Sequence, residues 1–295
     1  MGKLNINLIP TIKNLEIISH GLVSTKIIGN YKSTFKGKGL EFSNYRKYTD
    51  KDDANLIDWK ATLRSNEILV KEFVEERNVE VLFLLDASSS MLFGSEHLLK
   101  AEYAAELMAA LYYIVLKSGD SAGFVLFTDE IVKKMKPAQG REKFYVLQKT
   151  LTDFNLYGGD YDLAYALKFV RHFVKPHTLI IIISDFIGLT NDWEHALKIA
   201  SKEFDIIGIM VRDKHDRTLP DDTGQVVIEN PYSDQQLIID PRLIKDRYEK
   251  DVRADEAKIQ NTFARFKADF ISLQTDESFI KPIMNFFNKR RLKMR

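Results

Sequence analysis

Cysteine is absent from this chain, which removes disulfides, thiolate nucleophiles and cysteine-ligated zinc from consideration. An excess of one charge is absent too: 43 basic residues stand against 42 acidic ones, so net charge makes no case for nucleic acid. Two local basic runs, Lys26 to Lys47 and Lys289 to Arg295, read as solvated surface in the absence of a nucleic-acid-binding motif around them. Long hydrophobic runs are missing as well. The apolar run Thr178 to Ile183 is strand length, far short of the roughly 20 residues of a membrane helix. Met1 to Pro10 carries no signal-peptide pattern, so the expectation is a cytoplasmic protein that meets a membrane only through a partner. Gly37-Lys38-Gly39 is too short for a phosphate loop, and no Gly-x-Gly-x-x-Gly or Walker sequence occurs, which argues against nucleotide hydrolysis by this chain. None of the six histidines forms a closely spaced metal-binding pair.

What is present is the composition of a folded α/β protein, 45% hydrophobic and 29% charged over 295 residues, long enough to bury a sizeable core. Residues 1–76 are punctuated by Gly21, Gly29, Gly37 and Gly39 between short apolar segments, and predict a small, partly extended accessory module with a helix near 55–64. From residue 77 to 295 the pattern becomes alternating strand and helix. Val79 to Leu85 reads as a buried strand ending at Asp86. Leu99, Tyr103, Leu107, Ala110, Leu111 and Ile114 mark an amphipathic helix over roughly 96–117. Strands follow at Ala122–Phe127, Thr178–Ser184 and Asp205–Val211, with Ile131–Met135 returning antiparallel. Near 213–267 the alternation is interrupted by a hairpin, Val226–Ile228 with Leu237–Ile239, and by a charged helix over about 241–266. A last strand at Asp269–Leu273 and a closing helix through Phe287 complete a mostly parallel sheet with helices on both faces.

Such sheets bind their ligands beyond the carboxyl ends of the strands, and three groups of oxygen donors fall there. Asp86, Ser88 and Ser90 follow the first strand of the alternation; Asp160 and Asp162 follow the Tyr157-Gly158-Gly159 turn; Asp185 follows the strand ending at Ser184. Carboxylate and hydroxyl oxygens suit Mg2+, with Mn2+ or Ca2+ behind it. The two hydroxyls add no charge, so an ion held by Asp86 and Asp185 stays electrophilic enough to accept a partner's carboxylate. The alternatives are that Ser88 and Ser90 satisfy turn or cap amides and that Asp160 and Asp162 sit at a helix N-terminus for electrostatic reasons. Phosphoryl transfer through Asp86 is a further alternative, although the second acid such a scheme wants is replaced by Ser88. No nucleophile and base stand out beside the donors, so catalysis is not the leading expectation.

An ordered set of motifs resembles the domain-of-unknown-function-58 family. The set runs through Gly39-Leu40-Glu41-Phe42, Tyr45-Arg46-x-Tyr48, Asp52-Asp53, Ile57-Asp58-Trp59-Lys60-Ala61 with Arg64, Val70-Lys71-Glu72-Phe73, Glu75-Glu76-Arg77 and Leu84-Leu85-Asp86-Ala87-Ser88-Ser89-Ser90-Met91. It continues with Ser184-Asp185-Phe186, Leu219-Pro220, Thr275 and Phe286-Phe287-x-x-Arg290. The resemblance implies a von Willebrand factor A-like domain and association with a MoxR-type AAA+ ATPase. It also implies a metal-ion-dependent adhesion site built on Asp86, Ser88, Ser90 and Asp185. Relatives often read Gly-Gly-Thr-Asp-Leu in the second loop, where this chain has Gly158-Gly159-Asp160-Tyr161-Asp162-Leu163; either Asp160 or Tyr161 takes the threonine position. Asp58, Trp59, Arg64, Glu75, Glu76 and Arg77 are expected to form a network, with Trp59 buried, that links the accessory module to the strand opening at Val79. The function implied is a metal-dependent protein-binding adaptor or co-chaperone whose client supplies an acidic ligand. The alternatives are a metal-dependent phosphohydrolase and a structural interaction protein with a degenerate metal site.

Overall fold

The computed structural model describes residues 41–49, 52–53, 56–65, 67–74, 79–95, 98–220, 224–233 and 235–293. The expected glycine turns between 21 and 39, the basic residues Lys26 to Lys38, and Glu75, Glu76 and Arg77 lie outside them. Two compact units divide the described chain, one before Val79 and one from Val79 onward.

The first unit is a hairpin with a short helix. Strands β1 (Glu41–Lys47) and β2 (Leu69–Val74) pair antiparallel, and helix α1 (Trp59–Ser65) lies between them in sequence. Asp58 caps α1 by accepting from the amides of Lys60 and Ala61 at 3.0 and 3.2 Å, while the Tyr45 hydroxyl donates to its other oxygen at 2.9 Å. Arg64 is exposed. The expected burial of Trp59 is corrected: it is 63% exposed, because it opens a two-turn helix that has no buried residue.

The second unit carries a six-stranded sheet of order β10-β7-β6-β3-β4-β5. Its strands are β3 (Glu80–Asp86), β4 (Ser121–Phe127), β5 (Ile131–Ala138), β6 (Leu179–Ser184), β7 (Asp205–Arg212) and β10 (Asp269–Gln274). All neighbours run parallel except β5, which returns antiparallel on β4. Strand β6 is buried along its whole length, and β3 along all but its first residue, which accounts for their nearly continuous apolar sequence. On one face Leu82, Leu84, Ile180, Ile182 and Ile206 pack with α4 (Leu163–Phe173), α5 (Trp193–Glu203) and the end of α6 (Pro241–Arg265). On the other lies α2 (Lys100–Lys117), whose Tyr112 ring meets Phe83 at 5.6 Å. Each such side chain taken fully out of water contributes about 1.5–3 kcal/mol, so these two faces hold the fold. This is the doubly wound arrangement of a von Willebrand factor A-like domain. Helix α3 (Glu142–Leu151) was not anticipated; only Leu147, Thr150 and Leu151 of it are buried, too few to mark a stripe. Hairpin strands β8 (Val226–Glu229) and β9 (Gln236–Ile239) and closing helix α7 (Ile280–Lys293) complete the unit.

Candidate functional site

Chain order reverses at β3: its successor β4 lies on one side and β6 on the other. The crevice at the carboxyl ends of β3 and β6 is therefore the topological switch point, where open α/β sheets place ligands. Asp86 ends β3 and Asp185 follows β6; both are fully buried, as is Ser88, and Ser90 is 2% exposed. A short turn of helix, Ser89–Leu92, curls the first loop back over the strand end.

The Gly158-Gly159 loop is clamped to this first loop. Ser89 donates to the Gly159 carbonyl through its amide (3.0 Å) and its hydroxyl (2.9 Å), and the Gly158 amide donates to the Ala87 carbonyl at 2.7 Å. Both glycines have positive φ, 115° and 94°, which explains the residue type. Beyond the clamp the sequence candidates separate. Asp160 is exposed. Asp162 caps α4, accepting from the Tyr165 amide at 2.9 Å. Tyr161 is buried against Phe127, its hydroxyl 3.1 Å from Ser184 Oγ. Of the two residues aligned with the missing threonine, Tyr161 is the one that reaches the cluster.

Each oxygen at the centre is engaged. Asp86 Oδ1 accepts the Ser88 amide at 2.9 Å, and its Oδ2 accepts the Ser184 hydroxyl at 2.6 Å. Burial, followed by the nearby Asp185 charge, pushes the Asp86 carboxyl up to about 7; both effects disfavour its ionised form. Asp185 Oδ1 accepts the Ile187 amide at 2.9 Å and Oδ2 accepts Lys100 Nζ at 2.7 Å. Lys100, only 1% exposed, also donates to Asp216 Oδ2 at 2.9 Å. Burial alone would lower its basicity, but Asp185 and Asp216 outweigh that and hold it above the usual lysine range. Asp216 is presented by a short helical turn after β7 whose cap, Asp213, accepts from the Ser95 hydroxyl at 2.6 Å. Finally, the hydroxyl of Tyr232, at the turn between β8 and β9, donates to Ser90 Oγ at 2.8 Å, lies 3.3 Å from Ser88 Oγ, and is 3.0 Å from the Ile187 carbonyl. Gly188, with φ +84°, makes room for its ring: a Cβ there would fall 2.7 Å from Tyr232 Cε2. A cavity of about 470 Å³ opens alongside, bordered by Phe186, Ile187, Arg212, Asp216 and Tyr248.

Lys100, Asp216 and Tyr232 were not anticipated, and Ser184 entered only as part of the Ser184-Asp185-Phe186 motif. Lys100 left a sequence signal: it stands three residues before Tyr103 and seven before Leu107, on the buried stripe of α2. Tyr232 left none, being 142 residues from Ser90. Among the described residues no group of three or more His, Cys, Asp or Glu side chains is arranged to hold a metal ion. As folded, the cluster does not fit a hydrated divalent cation. Asp185 Oδ2 is spent on an ammonium, Asp86 Oδ2 on Ser184, and the two serine hydroxyls on each other and on Tyr232.

Fold and site together define a von Willebrand factor A-like domain with a buried lysine paired to the carboxylate that follows β6. The family model "Protein of unknown function DUF58" matches residues 44–258, and the chain belongs to that family. Uncharacterised proteins of Mycobacterium tuberculosis and Mycobacterium bovis are each 26% identical over 284 residues, covering 95% of this chain and 89% of theirs. Among solved structures, an aerotolerance-related membrane protein from Bacteroides fragilis superposes with a TM-score of 0.50 at 17% identity, over 72% of this chain and 99% of that one. BatB from Bacteroides thetaiotaomicron gives 0.47 at 16% identity, over 73% and 99%. No helix among the described residues is long and apolar enough to cross a membrane.

Proposed function

We propose that this chain is a non-catalytic protein-docking adaptor that works with a MoxR-type AAA+ ATPase in the maturation or assembly of a client protein. The observation that carries the reading is the β8–β9 hairpin. It leaves Val227, Ile228, Leu237 and Ile238 exposed at 59, 39, 60 and 66% while its tip inserts Tyr232 into the Ser88–Ser90 loop. An isolated two-stranded hairpin is marginal by itself, and exposed apolar side chains on paired strands are of the kind that a partner covers. The loop thus already grips a protein side chain, and the element supplying that side chain exposes an apolar pair on each of its faces, Val227 with Ile238 on one and Ile228 with Leu237 on the other. The ATPase enters through the family resemblance alone.

A phosphohydrolase using Asp86 as nucleophile draws no support from this arrangement, because both carboxylate oxygens accept hydrogen bonds in a fully buried position. A Mg2+-dependent adaptor, with Mn2+ or Ca2+ as substitutes, requires Lys100 and Tyr232 to withdraw first; the folded geometry favours docking without metal. The test is binding of the purified chain to the MoxR-type ATPase encoded in the same genome, followed by biolayer interferometry. A complex is expected, weakened about tenfold or more by Leu237→Asp with Ile238→Asp, at unchanged thermal stability. Absence of a complex at tens of micromolar protein, weak even for transient partners, would remove the ATPase from the account. A complex indifferent to the hairpin substitutions would remove the hairpin.

A further inference from the structure

We infer that the ε-ammonium of Lys100, on Asp185, and the Tyr232 hydroxyl, on Ser88 and Ser90, together take up the oxygens that would hold a divalent ion, so that the site is closed and complete without a metal ion. Lysine is among the residues least often fully buried without pairing, yet Lys100 is 1% exposed in the first turn of the helix that follows the Asp86–Ser90 loop. Its position answers the question a divalent ion would otherwise answer, namely what balances the carboxylate that follows β6. The ammonium reaches Asp185 Oδ2 at 2.7 Å and both oxygens of Asp216, at 2.9 and 3.2 Å. The Phe93 ring lies 5.7 Å from it, closing a further side.

The outer position is filled in the same way. In an adhesion-type site a loop's hydroxyls and a bound water or partner oxygen surround the ion. In this chain the tyrosine hydroxyl meets the two serine hydroxyls and the Ile187 carbonyl, and Gly188 leaves the space its ring needs. Charge follows the same logic: a divalent ion drawn to Asp185 would share that carboxylate with an ammonium, and like charges at such range in a buried site repel strongly. Seating an ion on Asp185 and the two serines therefore has to take Asp185 from the ammonium and the serine hydroxyls from Tyr232. This inference concerns the site's contents and does not rest on the ATPase reading.

The probe is Mn2+ or Mg2+ itself, added to chelator-treated protein and followed by Mn2+ electron paramagnetic resonance, calorimetry and thermal unfolding. Wild-type protein is expected to bind neither ion up to about 1 mM, the weak end of biological divalent sites, and to unfold at the same temperature in chelator and in metal. Lys100→Met with Asp216→Asn, which removes the ammonium together with one of its carboxylates, is expected to gain Mn2+ binding and a metal-dependent rise in Tm that Ser90→Ala abolishes. Submillimolar binding by the wild type that Ser90→Ala abolishes overturns the inference, as does a folded double variant that still takes up no metal. Should the double variant not fold, the wild-type titration retains the power to refute.

Discussion

Replacing Lys100 by methionine tests the electrostatic core of this site, because it removes one charge and leaves the packing volume nearly unchanged. Coulomb's law at 2.7 Å with an effective dielectric of about 20 gives roughly 6 kcal/mol of attraction to Asp185 alone. Desolvation of the ammonium offsets much of this, and removing one partner of a buried pair typically costs about 3–5 kcal/mol through the charge left behind. Two carboxylates are left behind in this case, Asp185 fully buried and Asp216 with a side chain 9% exposed. A unit of this size shifts its Tm by about 2–4 °C per kcal/mol, so Lys100→Met should unfold on the order of 6–20 °C below wild type at pH 7. Adding Asp216→Asn should recover part of the deficit at pH 7. The assay is thermal unfolding by circular dichroism from pH 5 to 8. A Lys100→Met protein within about 1 kcal/mol of wild type would show that the buried ion pairs contribute little and would refute the reasoning.

Tyr232→Phe deletes only the hydroxyl shared among Ser90, Ser88 and the Ile187 carbonyl. It should cost about 1 kcal/mol in urea denaturation and speed amide exchange in Val226–Ile239. Gly188→Ala combines a positive φ with a Cβ 2.7 Å from the Tyr232 ring; a loss of about 1–3 kcal/mol is expected, with loss of the tyrosine's near-ultraviolet dichroism as the ring leaves the loop. The Asp86 carboxyl, raised from 3.8 to about 7 by burial and then by Asp185, should make stability fall as pH climbs between those values. The span amounts to on the order of 4 kcal/mol, and the difference between wild type and Asp86→Asn in urea midpoints across pH 4.5–8 should trace it; equal slopes in the two proteins would exclude the raised value.

The sheet was legible because β3 and β6 are buried on both faces and so read as almost unbroken apolar runs, whereas α3 escaped because Tyr145 and Val146 face solvent at 70 and 47% exposure and blur its period. The candidate site was legible as far as chain order could carry it. Asp86, Ser88, Ser90 and Asp185 were located by the rule that ligands gather at carboxyl strand ends, and they do converge. What occupies the space among them depends on contacts across 85 and 116 residues for Lys100 and across 142 for Tyr232. Hydrophobic periodicity reports which face of a helix is buried, but not which carboxylates wait there. The first-turn lysine of α2 was therefore not singled out, although its spacing to Tyr103 and Leu107 places it on the buried stripe.

Hydrogen exchange on the chain alone and in complex with the MoxR-type ATPase bears most directly on the claim that docking uses this loop and its hairpin. The account predicts that the partner slows exchange in 86–92 and 185–189 while Val226–Ile239 releases its grip or becomes covered. Protection confined to segments away from both the loop and the hairpin, with 86–92 and 226–239 exchanging as in the free protein, would contradict it.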